Sequence, residues 1–226
     1  MSKIDTTLDG GFFESPIAVP QPRPATDTRI SYAQRIIDNP GLYSEAHNAG
    51  VSNRNPEGIG FLALVAEDFR TQEEGLFSQG AWALFWHRFG NWRMSVRPKP
   101  LRLPLSVLYK VGRKLTQWFA GIDLPYTVNV GRRVRIEHFG GMILVARAIG
   151  DDVVIRQNTT FGIARTDRPR DWPIIGDGAD IGTGAVILGR VTIGPGARIG
   201  ANAVVLRDVP AGATAVGVPA WIARAR

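Results

Sequence analysis

The sequence predicts a mainly β solenoid preceded by an α-helical region. Three observations carry this. First, residues 175–210 divide into sixes: IGDGAD, IGTGAV, ILGRVT, IGPGAR, IGANAV and VLRDVP. Their first place is always aliphatic (Ile175, Ile181, Ile187, Ile193, Ile199, Val205) and their fifth is Ala or Val (Ala179, Ala185, Val191, Ala197, Ala203, Val209). Second, the same spacing runs upstream through IGDDVV (149–154) and IRQNTT (155–160). Third, residues 58–121 have apolar residues at helical spacing instead. A period of six fits neither a helix face nor a two-sided strand. Short internal repeats of this kind stack into a solenoid. Each six supplies a short strand and a corner. Its first residue fills the interior, and its fifth is small because the interior is narrow there. Stacking the coils buries an apolar face that no single coil can bury alone.

In chain order, residues 1–28 form an expected mobile arm around SPIAVPQPRP (15–24). Residues 29–122 form the helical region. A short helix is expected at Tyr32–Asp38, before breaks at Asn39-Pro40, Gly41 and Asn55-Pro56. Longer helices are expected in FLALVAEDFR (61–70), GAWALFWHRFGNWRM (80–94) and LSVLYKVGRKLTQWFAGI (105–122). The aromatics Trp82, Phe85, Trp86, Phe89 and Trp92 read as helix packing. The last helix puts Val107, Leu108, Val111, Leu115, Trp118 and Phe119 on one side. That side is expected to pack on the β-helix or on a neighbouring subunit, and peripheral membrane association is the second reading. The coils occupy 123–222. GIARTDRPRDWP interrupts them between Phe161 and Ile174, and its charge marks a loop on a binding face.

Composition narrows the function. The chain has 226 residues and no cysteine, which excludes disulfides and a thiol nucleophile. A cytoplasmic protein is expected, because the N-terminus lacks a basic-then-apolar leader pattern. The net charge is +7. No nucleic-acid module pattern accompanies it, so an anionic small ligand, not nucleic acid, is the expected partner.

The three histidines are His47, His87 and His138. His47 reads as solvated and His87 as a packing residue. His138 sits in RIEHFGG (135–141), at the corner of an early coil, with glycines after it that let a ligand approach the backbone. A single coil histidine cannot make a three-histidine zinc site, so no metal is expected.

The run from 130 to 219 resembles the hexapeptide-repeat acyltransferases, whose coils form a left-handed parallel β-helix. GIDLPYTVNVGRRVRIEHFGG and IGTGAVILGRVTIGPGARIGANAVVLRDVPAGATAVGVPA are similar to the serine acetyltransferase branch. The resemblance covers about residues 121 to 222. It implies a homotrimer, acetyl-CoA as co-substrate and transfer of acetyl to a hydroxyl without a covalent enzyme intermediate. His138 is the implied base and Asp123, fifteen residues earlier, its orienting partner. Glu137, where the family has Asp, would help hold the acceptor. By position, Gly162, Thr183, Arg198 and Ala201 resemble residues that line the CoA groove. An Arg-His pair of the serine enzymes is replaced by Asp171-Trp172, and their Arg-Asp-Pro element by DFRTQEE (68–74). An aromatic face beside a carboxylate suits a sugar ring. The expected acceptor is therefore a sugar or polysaccharide hydroxyl, with serine as the alternative and a non-catalytic trimeric scaffold as a third reading.

Overall fold

The protein is described here by a computed structural model over residues 29–44 and 50–223. The expected arm at 1–28 and His47 lie outside the described residues. From Ile122 onward the chain winds into a three-sided parallel β-solenoid of about five coils, matching a left-handed β-helix. The first coil holds β1 (Ile122–Asp123), β2 (Asn129–Val130) and β3 (Arg135–Glu137). The second holds β4 (Met142–Leu144), β5 (Ala148–Ile149) and β6 (Val154–Arg156). The third holds β7 (Thr160–Gly162), β8 (Ile174–Ile175) and β9 (Asp180–Ile181). The fourth holds β10 (Val186–Leu188), β11 (Thr192–Ile193) and β12 (Arg198–Ile199). In the last, β13 (Val204–Val205) and β14 (Thr214–Val216) flank a single bridge at Val209, and β15 (Trp221–Ile222) folds back antiparallel on β14.

Three faces result. The first stacks β1, β4, β7, β10 and β13; the second β2, β5, β8 and β11; the third β3, β6, β9, β12 and β14. The two aliphatic places of each six point inward, as the period predicts. Ile175, Ile181, Ile187 and Ile193, with Ala179, Ala185, Ala197 and Ala203, have no exposed surface. The interrupting segment leaves the solenoid between β7 and β8, and residues 164–170 are all exposed.

An open solenoid end presents unpaired strand edges, which must be covered. Here the helical region covers the first coil. It comprises α1 (Tyr32–Asp38), α2 (Phe61–Thr71), α3 (Gln79–Trp92) and α4 (Lys99–Ala120). From α3, His87 Nε2 lies 2.9 Å from the Val128 carbonyl oxygen. Arg88 donates to the carbonyls of Val130 (2.8 Å) and Gly131 (2.6 Å), and Asn91 Nδ2 to that of Tyr126 (2.8 Å). Just after α2, Gln72 donates to Val134 O at 2.8 Å and accepts from Ile136 N at 3.0 Å. These side chains supply the hydrogen bonds a preceding coil would have made. Arg88 is fully buried, and its charge is met by Asp68 of α2 at 2.8 Å. The aromatics serve helix packing, as expected: Trp82 and Trp92 meet Phe69 and Phe61 of α2, and Trp86 faces Gly112 of α4.

α1 lies where the sequence places it. Ser31 caps it by accepting from Gln34 N at 3.0 Å. Ala33, Ile36 and Tyr43 close on Ala148 and Ile174 of the second face.

α4 differs from expectation in two ways. It begins at Lys99, earlier than 105, with Pro98 as its N-cap and Pro104 inside it. More consequentially, its apolar side does not pack on the β-helix of its own chain, which leaves the neighbouring-subunit and membrane readings. The buried residues are Tyr109, Gly112, Thr116 and Ala120. A Cβ on Gly112 would stand 2.2 Å from the Trp86 ring, so glycine there lets α3 and α4 approach closely. Close approach is achieved by a small-residue stripe, and the large apolar residues point away.

Candidate active site

The candidate site forms at the edge where the third face turns into the first. In later coils this corner is uniform. Register pairs Arg135, Val154, Asp180 and Arg198 across four successive coils. Hydrogen bonds from Gly184 N to Gln157 O and from Asn202 N to Thr183 O then align the corners themselves. The first corner is different. Glu137 pairs with Arg156 and Ile143 with Thr160, so six steps of chain cover what four steps cover one coil later. The two extra residues are His138 and Phe139. Both are exposed, and His138 takes a left-handed φ of 63°, in addition to the left-handed residue that Gly141 supplies here and Asn158, Gly184 and Asn202 supply in the later coils.

The end of α4 packs beside this insertion. Gly140 N donates to Ala120 O, and Met142 N to Gly121 O, both at 2.8 Å. Gly121 ends the helix at φ 64°, and a Cβ there would stand 3.0 Å from Gly140 Cα and Gly141 N. Glycine is thus needed for both its conformation and its proximity. Asp123 follows on β1, opposite Ile143 on β4. The entry strand and the histidine corner therefore run side by side.

Asp123 is held by a residue the sequence reading passed over. Arg113 of α4 donates to Asp123 Oδ1 through Nε (3.1 Å) and Nη2 (2.5 Å). The signal available in the sequence was an arginine ten residues before the aspartate, on the helix that leads into it. The insertion was also legible. The inward residues Ile136 and Leu144 are eight apart, against six for Ile155 and Phe161, their partners one coil on.

Glu137 faces outward on the third face among arginines. Arg156 Nε lies 3.1 Å from its Oε2. Arg135 Nη2 stands 3.0 Å from Oε1, within ion-pair range though not aligned as a hydrogen bond. Arg156 also pairs with Asp180. Glu137 thus belongs to a ladder of alternating charge beside the corner.

The four positions expected to line a CoA groove divide. Thr183 and Ala201 fall at the same edge as His138, one above the other in the third and fourth coils. Arg198 is exposed on β12, just before that edge. Gly162 ends β7, at the far side of the first face, so one chain does not bring it to the other three. Asp171 and Trp172 lie just before β8, beyond that same far side. The Arg147 guanidinium lies 5.2 Å from the centroid of the Trp172 ring. Tyr43 Oη donates to the Trp172 carbonyl at 2.6 Å.

Two buried groups of the helical region are perturbed. Burial, then the neighbouring Arg88 charge, push His87 down to about 3, with the Val128 bond opposing. Burial raises the Asp68 carboxyl against the pull of Arg88.

The chain is similar to known proteins in repeat pattern, sequence and fold. The bacterial transferase hexapeptide pattern (six repeats) matches residues 173–207. A serine acetyltransferase of Staphylococcus xylosus is 39% identical over 119 residues, covering 52% of this chain and 55% of that protein. The chain spans about half the length of the curated relatives it matches. Among solved structures, a serine acetyltransferase in complex with CoA is 28% identical with a TM-score of 0.58, covering 72% of this chain and 69% of that one. Soybean serine acetyltransferase complexed with serine is 26% identical with a TM-score of 0.60, covering 84% and 94%. In its repeat, sequence and fold the β-helical half of this chain is similar to the hexapeptide-repeat transferases, and to serine acetyltransferases among them.

Proposed function

We propose that the protein is an acetyl-CoA-dependent O-acetyltransferase in which His138 is the general base. The observation that carries this is the two-residue insertion, which lifts His138 out of the coil onto the edge that also bears Thr183 and Ala201. A hydroxyl is a weak nucleophile near neutral pH. Imidazole takes its proton as the oxygen attacks the thioester carbonyl, and the resulting tetrahedral intermediate expels the CoA thiolate, which takes that proton from the imidazolium. Asp123 orients the imidazole and favours its charged form. Arg113 occupies Oδ1, so the assignment gives Oδ2 to the histidine. The backbone N–H groups near Gly140 and Gly141 are the assigned oxyanion donors. CoA runs along the Thr183–Ala201 edge, with Arg198 toward a phosphate.

The acceptor we infer is L-serine. The sequence alone favoured a sugar hydroxyl, from Asp171 and Trp172. Two observations now weigh against that. The relatives are named serine acetyltransferases, and one solved neighbour is complexed with serine. The aromatic face expected to stack on a sugar already carries Arg147. Assembly as a trimer is part of the proposal, because a neighbouring chain can bring the Gly162 side and the 164–172 loop to the edge that holds His138.

Thiol release from acetyl-CoA tests the reading, with L-serine and a panel of nucleotide sugars and oligosaccharides offered separately. Turnover with L-serine, lowered by about 10²–10⁴-fold in His138→Ala, is the expected result. Turnover only with a glycan returns the acceptor to the sugar reading. An unchanged rate in His138→Ala removes the base.

A further inference from the structure

The outward side of α4 is a long apolar strip bordered by lysines. At roughly 100° of turn per residue, Leu101, Leu108, Val111, Leu115, Trp118 and Phe119 share one flank of the helix, next to the buried stripe of Tyr109, Gly112, Thr116 and Ala120. Trp118 is 72% and Phe119 79% exposed, and the other four are each more than 40% exposed. Lys99, Lys110 and Lys114 follow the border of this strip, all exposed. No Asp or Glu occurs between Lys99 and Ala120. The two arginines of the helix turn toward the protein instead, Arg102 to the carbonyls of Met94 and Val96 and Arg113 to Asp123. No helix among the described residues is long and apolar enough to cross a membrane.

We propose that α4 docks on an anionic lipid surface, lying in the headgroup plane. Trp118 and Phe119 enter the acyl boundary, and Lys99, Lys110 and Lys114 reach headgroup phosphates. Charge complementarity selects this occupant. An interfacial helix combines an aromatic-rich apolar face with flanking cations whose stems extend along the apolar surface. A second copy of α4 meets the strip less well, since face-to-face pairing opposes lysine rows without a carboxylate on either helix. Docking also has a positional consequence. Gly140 N donates to Ala120 O, so the end of α4 is joined to the histidine corner, which also carries the exposed Phe139. The candidate site is thereby held at the lipid boundary.

The test is flotation of the full chain with vesicles of phosphatidylcholine alone or phosphatidylcholine mixed with phosphatidylglycerol. Size-exclusion mass and thermal unfolding are measured in parallel. The expected result is recovery with the anionic vesicles only. It should fall by about tenfold or more in Trp118→Ser/Phe119→Ser and in Lys110→Glu/Lys114→Glu, with unchanged mass and melting temperature. Thiol release from acetyl-CoA in solution should be unchanged in the lysine variant, so docking and catalysis fail separately. Wild-type protein that does not float, or variants that float as well as wild type, would overturn the proposal. So would a smaller assembly for Trp118→Ser/Phe119→Ser, which would assign the strip to a contact between copies.

Discussion

The first corner of the β-helix and the corners stacked on it differ by two residues, and those two include the proposed base. From Ile155 on, the corners of this edge are matched one to the next and the aliphatic residues before and after them are enclosed; the 163–173 segment leaves the coil at another edge. At 138–139 the chain leaves that path. Regular coils supply a rigid wall. The irregular corner supplies an exposed imidazole that the wall has no packing reason to hold. Positions serving stability and positions serving chemistry are therefore separable in this molecule.

The sharpest way to break that separation is to remove the irregularity. His138→Ala should lower turnover by about 10²–10⁴-fold with little change in melting temperature. Deleting His138 and Phe139 together should go further. It gives the first corner the register of the later ones, and it should abolish turnover while the circular dichroism of the β-helix persists. Loss of the folded state in the deletion would mean that the insertion is structural, and the comparison would fail.

The opposite substitutions act on the wall and its cap. Arg88→Ala leaves Asp68 buried without its cation and strips donors from Val130 O and Gly131 O. Removing one partner of a buried pair costs about 3–5 kcal/mol, so chemical denaturation should show a large drop in midpoint. Ile181→Ala opens a cavity in a coil that has no exposed surface at that residue, at a cost of about 2–5 kcal/mol. Neither variant should change the rate per folded molecule at a temperature where it remains folded. A selective rate loss in Ile181→Ala would place the third coil in the chemistry.

The coils were legible because two residues in six are forced inward by the backbone path, which writes the fold directly into the spacing. His138 was legible because a corner rarely needs imidazole for packing. The strip on α4 was read as a face for the β-helix, a neighbouring subunit or a membrane surface, because periodicity reports that a helix has an apolar side, not what covers that side. Here the contact with α3 is made by Gly112 against Trp86, a pairing of small with large that a hydrophobic stripe does not reveal. Arg113 was missed for a related reason. It is one of several cations on a helix, and only the left-handed turn at Gly121 carries the following strand back to place Asp123 beside it. Trp172 shows a limit of another kind. An aromatic in a charged loop suggested a ligand platform, and the sequence did not reveal that its ring also meets an arginine from the preceding coil.

The smallest expected effect concerns the cap and is read as a pH dependence. His87 is fully buried, and its Nε2 carries the proton donated to Val128 O, while Nδ1 is enclosed without a hydrogen-bond partner. Its value falls from 6.5 to about 3 on folding, first through burial and then through the charge of Arg88. Between those limits the unfolded chain binds the proton and the folded chain does not. Stability therefore falls as pH drops from about 6.5 toward 3, by up to about 1.4 kcal/mol per pH unit. Asp68 and Asp151, both raised by burial, bind protons more tightly when folded and act in the opposite direction in acid. Comparison with His87→Gln separates the two effects, since both proteins retain the aspartates and glutamine keeps a donor for Val128 O. Denaturant midpoints measured from pH 7 to pH 4.5 should decline more steeply in wild type than in His87→Gln. Parallel curves would mean that the protonated histidine is accommodated in the folded cap, and that α3 does not hold the first coil through a neutral imidazole.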